Sequence, residues 1–436
     1  MGLNTISARS MIIPYVLKKS RMRMAGKFEI YIFSIAICLL WFAAVFDPIG
    51  KFFMLRYVAL ASALACLVLA GLFWKLFDPN ISLQNTIIIY VSFLMPMYGF
   101  LVYAMRGGYT TKLLDTSYAA ASILLLFSFL YKNENLCKVG IRAMIFSLRL
   151  LVVVIVLIYA ATILGFNIEW IKFFTEGDAA RVSTRDYAGI NLPYIYFFAS
   201  PMLIYLIAYD LNKFFGAFST KNALTCGASI FAFALSGTRA HIILAFVYPL
   251  LFYSLIFSRH KFILIVTSVL VIVLTIGLFN FEILNAFFTT KETSNSMKVG
   301  MLTKYADMFS DPLTVIFGQG YNAHAWSTSL REIIAIEENA SKSELTYIEL
   351  VRVYGLFISL PFFILFGALV YKLSRVSFEY RWLYPAFLIY LINSFLNPYL
   401  FSTNGILPLG LILAIVSLKR VSNPLVKYPN KFSVRG

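Results

Sequence analysis

Long apolar runs alternate with short polar breaks along almost the whole chain. A helix needs about 20 apolar residues to cross the hydrocarbon core of a bilayer, and most of these runs approach or reach that length. The pattern predicts an all-α polytopic membrane protein with about 12 transmembrane helices in one integral membrane domain, residues 1–436. The predicted spans are 28–46, 53–75, 86–104, 113–131, 143–166, 190–209, 222–236, 241–258, 261–281, 346–371, 383–397 and 403–418.

The apolar run over 222–257 is too long for one crossing. A single helix of that length would extend about 54 Å at a rise of about 1.5 Å per residue, beyond a core of about 30 Å. The segment SGTRAH supplies a break, because Gly237 permits a turn and Ser236 or Thr238 can cap the next helix. We predict two short helices that turn here, with Arg239 near a membrane face.

Two long polar segments separate predicted spans, at 167–189 and 282–345. Loops of this length in a compact domain are usually functional. Within the second, residues 297–308 repeat methionine or tyrosine at helical spacing. This spacing indicates an amphipathic helix that lies on the outer surface or packs against neighbouring loops.

Composition supports a membrane protein and argues against a nucleic-acid partner. Soluble domains carry about 25% charged residues, whereas this chain is 60% hydrophobic and 13% charged. Its net charge of +17 falls mainly in short loops and tails, and no compact basic domain remains to bind DNA or RNA. The four cysteines form no CxxC pair or Cys/His cluster, so we predict no metal site and no cofactor.

The distribution of Lys and Arg predicts the orientation. The N-terminal arm, the loops near 132–142, 259–261 and 372–381, and the C-terminal tail carry most of these residues. Basic residues accumulate in cytoplasmic loops. We therefore predict that both termini are cytoplasmic, and that Arg239 and the two long segments face outward.

Arginines are scarce on the predicted outer side, and four of them are candidates for binding phosphate. Guanidinium groups bind phosphate oxygens bidentately, so a convergent group would suit a pyrophosphate. Pairing with nearby carboxylates such as Asp186, or with anionic lipid, is the alternative for each arginine. The candidates are Arg181, Arg185, Arg239 and Arg352.

The segment SKSELTYIELVRVYGLF marks the junction of the second long loop with a predicted membrane helix. In a helix that begins near Ser343, the side chains of Glu344, Tyr347 and Arg352 fall close to one face. A partly shielded carboxylate there could act as a general base. The alternative is structural, with Ser343 as the cap and Glu344 stabilising the positive end of the helix.

A third candidate is FGQGYNAHAW, residues 317–326. Gly318 and Gly320 permit a tight loop. His324 is the only histidine in the two long segments, and we consider for it a role in catalysis or substrate binding and, as the alternative, an ordinary loop position.

Three segments in order, LSGTRAHIILAF, FGQGYNAHAW and ELTYIELVRVYGLFISLPFFILF, resemble the O-antigen polymerase/ligase superfamily. The likeness covers residues 230–370 as motifs and most of the chain as topology, and it includes the Gly-Leu pair Gly355 and Leu356. It implies a fold like that of GT-C membrane glycosyltransferases. It also implies activity on undecaprenyl-pyrophosphate-linked glycans at the periplasmic face of the bacterial inner membrane, with a chain-length regulator (a polysaccharide co-polymerase) as partner.

One motif distinguishes the branches of this superfamily. The ligase branch typically carries H-N-x-x-L-E at the loop–helix junction, where this chain has Glu344 and Leu345 but retains Glu349. The resemblance therefore favours a Wzy-type O-antigen polymerase, with Glu344 and Arg239 as catalytic residues. Two alternatives remain: a ligase that transfers polymer to lipid A core, and a polysaccharide flippase or other transporter.

Overall fold

The structure is a computed structural model of the chain. It describes residues 29–48, 50–51, 54–72, 82–105, 121–166, 174–175, 180–187, 190–236, 239–257, 300, 302–303, 305–321, 345–395, 397 and 399–418.

The described part is mostly helical. Four of its helices, α1, α3, α5 and α10, are long and apolar enough to cross a membrane, and several shorter helices are also apolar. These features are typical of a membrane-embedded protein. The helices are α1 (Glu29–Phe46), α2 (Leu55–Leu69), α3 (Leu83–Met105), α4 (Ala121–Leu130), α5 (Glu134–Ile163), α6 (Leu203–Gly216), α7 (Thr220–Leu235), α8 (Arg239–Ile256), α9 (Pro312–Phe317), α10 (Thr346–Ser374), α11 (Leu383–Asn393) and α12 (Thr403–Leu418).

Local sequence explains where several helices begin. The side chains of Asn133, Ser219 and Asp311 each accept a hydrogen bond from a backbone N–H in the first turn of α5, α7 and α9. Such caps satisfy N–H groups that have no partner within the helix. Pro312 follows Asp311 at the first helical position, where its missing N–H costs nothing.

The helices coincide with most of the predicted spans. Helix α7 ends at Leu235 and α8 begins at Arg239, so the predicted break within SGTRAH is confirmed. The predicted span 261–281 lies outside the described residues. The total of about 12 crossings therefore remains a prediction.

The prediction of an all-helical chain is wrong at residues 190–197. We predicted a helix over 190–209, but residues Ile190–Phe197 form strand β2, which pairs antiparallel with β1 (Ala180–Tyr187). The helix α6 begins only at Leu203. The first long polar segment thus contains β1 of a two-stranded hairpin, in which Pro193 lies on an edge strand that tolerates its missing N–H.

Side-chain contacts identify two ends of the helical bundle. At one end, which we call the basic end, Lys132 pairs with Glu29, and Lys138 lies 3.0 Å from Glu134 and 3.7 Å from Glu379. These contacts gather the starts of α1 and α5 and the turn that follows α10.

The opposite end, which we call the hairpin end, joins the β-hairpin to the starts of α10 and α12. The amide of Asn404, in α12, donates to the carbonyl of Phe198, directly after β2. Thr346 Oγ1 donates to the Asn397 carbonyl, 2.8 Å away, beyond the end of α11. The described parts of the three motifs singled out in the sequence, residues 236 and 239–241, 317–321 and 345–357, lie at this end.

Candidate functional site

Helix α10 begins at Thr346 and is broken at Gly355, a residue of the junction motif. Gly355 has φ +65°, and a Cβ there would clash with the carbonyl of Ile316. The break frees two carbonyl groups from their usual partners in the helix. Arg352 O accepts from Gln319 N–H at 2.7 Å, and Val353 O accepts from Gly320 N–H at 2.9 Å.

The Gly-Gln-Gly segment fits into this break as a tight loop. Gly318 has φ +76°, and a Cβ there would lie 2.5 Å from both Gly355 N and Val353 O. The loop also contacts α3, because Tyr98 donates to the Phe317 carbonyl at 2.8 Å. The sequence predicted this tight loop, and its glycines are required because two backbones meet without room for a side chain.

A buried ion pair lies directly beside the loop. Arg352 Nε donates to Glu349 Oε2 at 2.7 Å, and Arg352 Nη2 donates to Oε1 at 2.5 Å. Only 3% and 2% of these two side chains are exposed. Tyr305 is also buried, and its hydroxyl donates to Glu349 Oε2 at 2.8 Å. The contact of Tyr305 with α10 favours packing over a free surface helix for this part of the long loop.

The pairing gives Glu349 and Arg352 a clear physical role. Both carboxylate oxygens of Glu349 accept hydrogen bonds, and a bidentate charged pair is strong and directional. The pair connects α10 to the segment that carries Tyr305, and thereby holds the Gly-Gln-Gly loop in the helix break. Arg352, a candidate phosphate ligand in the sequence, is in contact with this carboxylate.

Tyr347 faces a different neighbour from Arg352. Its hydroxyl donates to the Leu391 carbonyl of α11 at 2.7 Å. Helix α10 begins at Thr346, later than the start near Ser343 that would have aligned Glu344 with these two residues. Glu344 and His324 lie outside the described residues.

A buried histidine, His241, lies in the first turn of α8. His241 Nδ1 lies 3.1 Å from Ser236 Oγ, and His241 Nε2 lies 3.3 Å from the Asn393 amide nitrogen of α11. The amide nitrogen of Asn393 can only donate, so in this arrangement Nε2 accepts and the Nδ1–H donates to Ser236 Oγ. Phe233 stacks on the ring with 4.5 Å between centroids. Arg239 is the first residue of α8, two positions before this histidine.

Two tyrosines, Tyr196 and Tyr399, connect the hairpin to His241. Arg181 is exposed on β1 and pairs with Tyr196 of β2, whereas Arg185 pairs with Leu192. Burial raises the pKa of Tyr196 to about 12, although a side-chain hydrogen bond with Tyr399 opposes the shift. The ring of Tyr399 lies 6.2 Å from that of His241. The hairpin, the start of α8 and the end of α11 thus form one connected region.

Within the residues that the structure describes, no group of three or more His, Cys, Asp or Glu side chains could hold a metal ion. Among the described residues of the hairpin end, guanidinium, amide, hydroxyl and imidazole groups occur beside the paired Glu349 carboxylate. These groups suit anionic and polyhydroxylated ligands.

Several contacts of this region were not predicted from the sequence. Glu349 and Arg352 stand at the i, i+3 spacing that favours ion pairs on a helix, so that signal was present. No local pattern links Tyr305 to Glu349 or His241 to Asn393, because these pairs are separated by 44 and 152 positions. Such contacts depend on tertiary packing.

Comparisons with protein-family models, with curated proteins and with solved structures find no significant match to this chain.

Proposed function

We propose that this protein is a Wzy-type polymerase of O-antigen or a similar surface polysaccharide. The growing glycan leaves its undecaprenyl pyrophosphate and joins a hydroxyl group of the incoming lipid-linked repeat unit. The bond between the anomeric carbon and the pyrophosphate oxygen breaks, and a glycosidic bond forms. The hydroxyl proton passes to a base, and undecaprenyl pyrophosphate is the leaving group.

The observation that carries this proposal is the proximity of the three motifs at the hairpin end. The Gly-Gln-Gly loop bonds to α10 at Arg352 and Val353, and Thr346 at the start of α10 bonds to Asn397. Asn393, four residues earlier, contacts His241 in the SGTRAH turn. Segments that resemble one superfamily in sequence therefore also pack together in space.

In this proposal, arginines stabilise the leaving group. The pyrophosphate gains negative charge in the transition state, and fixed donors that stabilise such charge are usually the largest contribution to catalysis. Arg181, Arg185 and Arg239 supply these donors. Glu344 removes the proton from the acceptor hydroxyl. Glu349 and Arg352 keep the junction of loop and helix in place.

The two alternative functions, ligase and transporter, are weighed on two other features of the chain. Glu344 and Leu345 stand where the ligase motif has His and Asn, which favours the polymerase over the ligase. The observation that favours a transporter is a polar group among apolar helices. Asp210 of α6 is buried and accepts from Arg149 of α5 at 2.5 Å and from Ser229 of α7 at 2.8 Å. Ionisable residues inside membrane helices often mark transport pathways.

A deletion strain distinguishes the three functions. Loss of the lipopolysaccharide ladder with one repeat unit still attached to core indicates the polymerase. Complete loss of attached repeat units indicates the ligase, and accumulation of lipid-linked repeat units in the cytoplasm indicates a flippase. Complementation with an Asp210→Asn variant that accumulates normally should restore the ladder if the buried Asp210 carboxylate takes no part in transport.

The proposal also fixes an orientation, with the hairpin end in the periplasm and both termini in the cytoplasm. Ser183 is exposed in β1, and Glu379 is 55% exposed at the basic end. In a background without native cysteines, Ser183→Cys should react with an impermeant maleimide in spheroplasts. Glu379→Cys should react only after the membrane is permeabilised. The reverse pattern would contradict the orientation and the periplasmic reaction.

A further inference from the structure

The β-hairpin has two unlike faces. Directly paired residues of antiparallel strands share a face, and alternate residues along a strand point to opposite faces. Ala180, Ile195 and Phe197 lie on one face, with 3%, 0% and 0% of their surface exposed. Phe174 packs edge-on against Phe197, with 5.5 Å between centroids. This face is anchored in the protein core.

The other face is polar and aromatic. Arg181 pairs with Tyr196, and Ser183 pairs with Tyr194. Arg181 and Ser183 are exposed, and the two tyrosines are half-buried. The rings of Tyr194 and Tyr196 are nearly parallel, with an interplanar angle of 3° and 6.1 Å between centroids. The face thus combines a cation, a hydroxyl group and two aligned aromatic rings.

We propose that this outward face of the hairpin binds the sugar rings of a glycan whose nearby end carries a phosphate or other anionic group. The flat ring of a tyrosine contacts the apolar C–H surface of a sugar ring and buries it from water. The guanidinium of Arg181 donates paired hydrogen bonds to hydroxyl or anionic oxygens, and the Ser183 hydroxyl adds a donor and acceptors. The positive charge complements the anionic end of the glycan.

The position of the face also fits a glycan. Tyr196 forms a hydrogen bond with Tyr399, whose ring lies 6.2 Å from that of His241, two residues after Arg239 in α8. A saccharide on the two tyrosines therefore lies next to the proposed site for pyrophosphate. The identity of the glycan as a lipid-linked repeat unit rests on the proposed function. Tyrosine is also common at membrane interfaces, and anchoring in lipid is an outcome that the test below identifies.

The test measures binding of a soluble oligosaccharide to the purified full-length protein in nanodiscs. The probe is one repeat unit released from the cell's own surface polysaccharide, without lipid or pyrophosphate, followed by saturation-transfer NMR. Tyr194→Ala should weaken binding about three- to tenfold, the effect of losing one aromatic contact, whereas Tyr194→Phe should bind like the wild type. The matched control is Tyr371→Ala, because Tyr371 is 56% exposed and stacks with Arg375 at the basic end.

Three results would overturn the proposal. In the first, the wild-type protein does not bind the oligosaccharide. In the second, it binds inorganic pyrophosphate but no oligosaccharide. In the third, Tyr194→Ala binds the oligosaccharide as well as the wild type does and is defective only in membrane anchoring. If Tyr194→Ala does not fold, Arg181→Gln at an exposed position provides the same comparison. This test is independent of the polymerase proposal, which is tested by the lipopolysaccharide ladder of the deletion strain. A protein that binds glycan without affecting the ladder would keep this site and lose that function.

Discussion

The two ends of the helical bundle place their polar groups in opposite ways. At the basic end, charged pairs lie in the open, and Lys138 and Glu379 expose 39% and 55% of their side chains. At the hairpin end, the Arg352–Glu349 pair is almost completely buried and His241 is fully buried. The basic end also consists of regular helix starts, whereas the hairpin end contains strands, a glycine loop and a broken helix.

This difference shows at which end the protein contains charged and polar groups that are costly to bury. An exposed ion pair contributes about 0–1 kcal/mol, whereas burying a charge costs several kcal/mol before its partner offsets it. Buried polar clusters with irregular backbone are typical of functional sites. Asp210 is the exception, because it is buried between the two ends and pairs with Arg149, which is partly exposed. The hairpin end is therefore where substitutions should have the largest effects.

The largest effect is expected at the proposed general base. Glu344→Gln keeps the size of the side chain but cannot accept the proton, and it should lower the polymerisation rate about 10²–10⁴-fold. The matched control at the basic end is Glu379→Gln, which should retain wild-type activity. Polymer formed by the purified proteins is the readout. A near wild-type rate for folded Glu344→Gln would exclude this base and leave His324 as the next candidate.

Removal of the buried carboxylate should have the next largest effect. Glu349→Gln leaves the Arg352 charge buried without its partner, which typically costs about 3–5 kcal/mol of unfolding free energy. Thermal unfolding in detergent measures the loss. The double variant with Arg352→Gln should regain part of it, because no charge then remains buried. A single variant as stable as wild type would show that the pair is solvated.

The glycine loop should respond strongly to a single methyl group. Gly318→Ala places a Cβ 2.5 Å from the Gly355 nitrogen at a φ of +76°, and it should cost about 1–3 kcal/mol. Gly367→Ala in α10 is the control, because its Cβ would meet no atom within 4 Å. That change should be neutral or stabilising by up to about 1 kcal/mol. Equal melting temperatures for the two variants would argue against tight packing of the loop.

The smallest effect is expected at the basic end. Lys138→Gln removes an exposed partner of Glu134 and Glu379, and water solvates the remaining carboxylates. We expect no measurable change in melting temperature or polymer yield. A large loss of melting temperature or polymer yield would contradict the weak contribution expected of exposed ion pairs at the basic end.

Helix positions were largely predictable from the sequence, because polar residues bound the apolar runs. The α7–α8 break followed from the length of the run and from Gly237 in SGTRAH. The Gly-Gln-Gly turn followed from its two glycines. Each of these features depends on local backbone properties or on exclusion of polar groups from lipid.

The β-hairpin was missed because β2 continues into the apolar sequence of α6. Length alone then suggested one helix, although residues 190–197 are rich in aromatic and β-branched types that favour strands. Gly189, between the two strands, was a turn signal that we did not use. The contacts of Tyr305 and Asn393 could not be predicted, because they join distant segments through packing.

Reconstitution with a lipid-linked substrate is the most direct test of the proposed polymerase activity. The purified protein in nanodiscs is supplied with undecaprenyl-pyrophosphate-linked repeat units, and both products are measured. The account predicts a ladder of glycans that differ by one repeat unit, with one undecaprenyl pyrophosphate released for each bond formed. Folded wild-type protein that forms no longer glycan and releases no undecaprenyl pyrophosphate would contradict it.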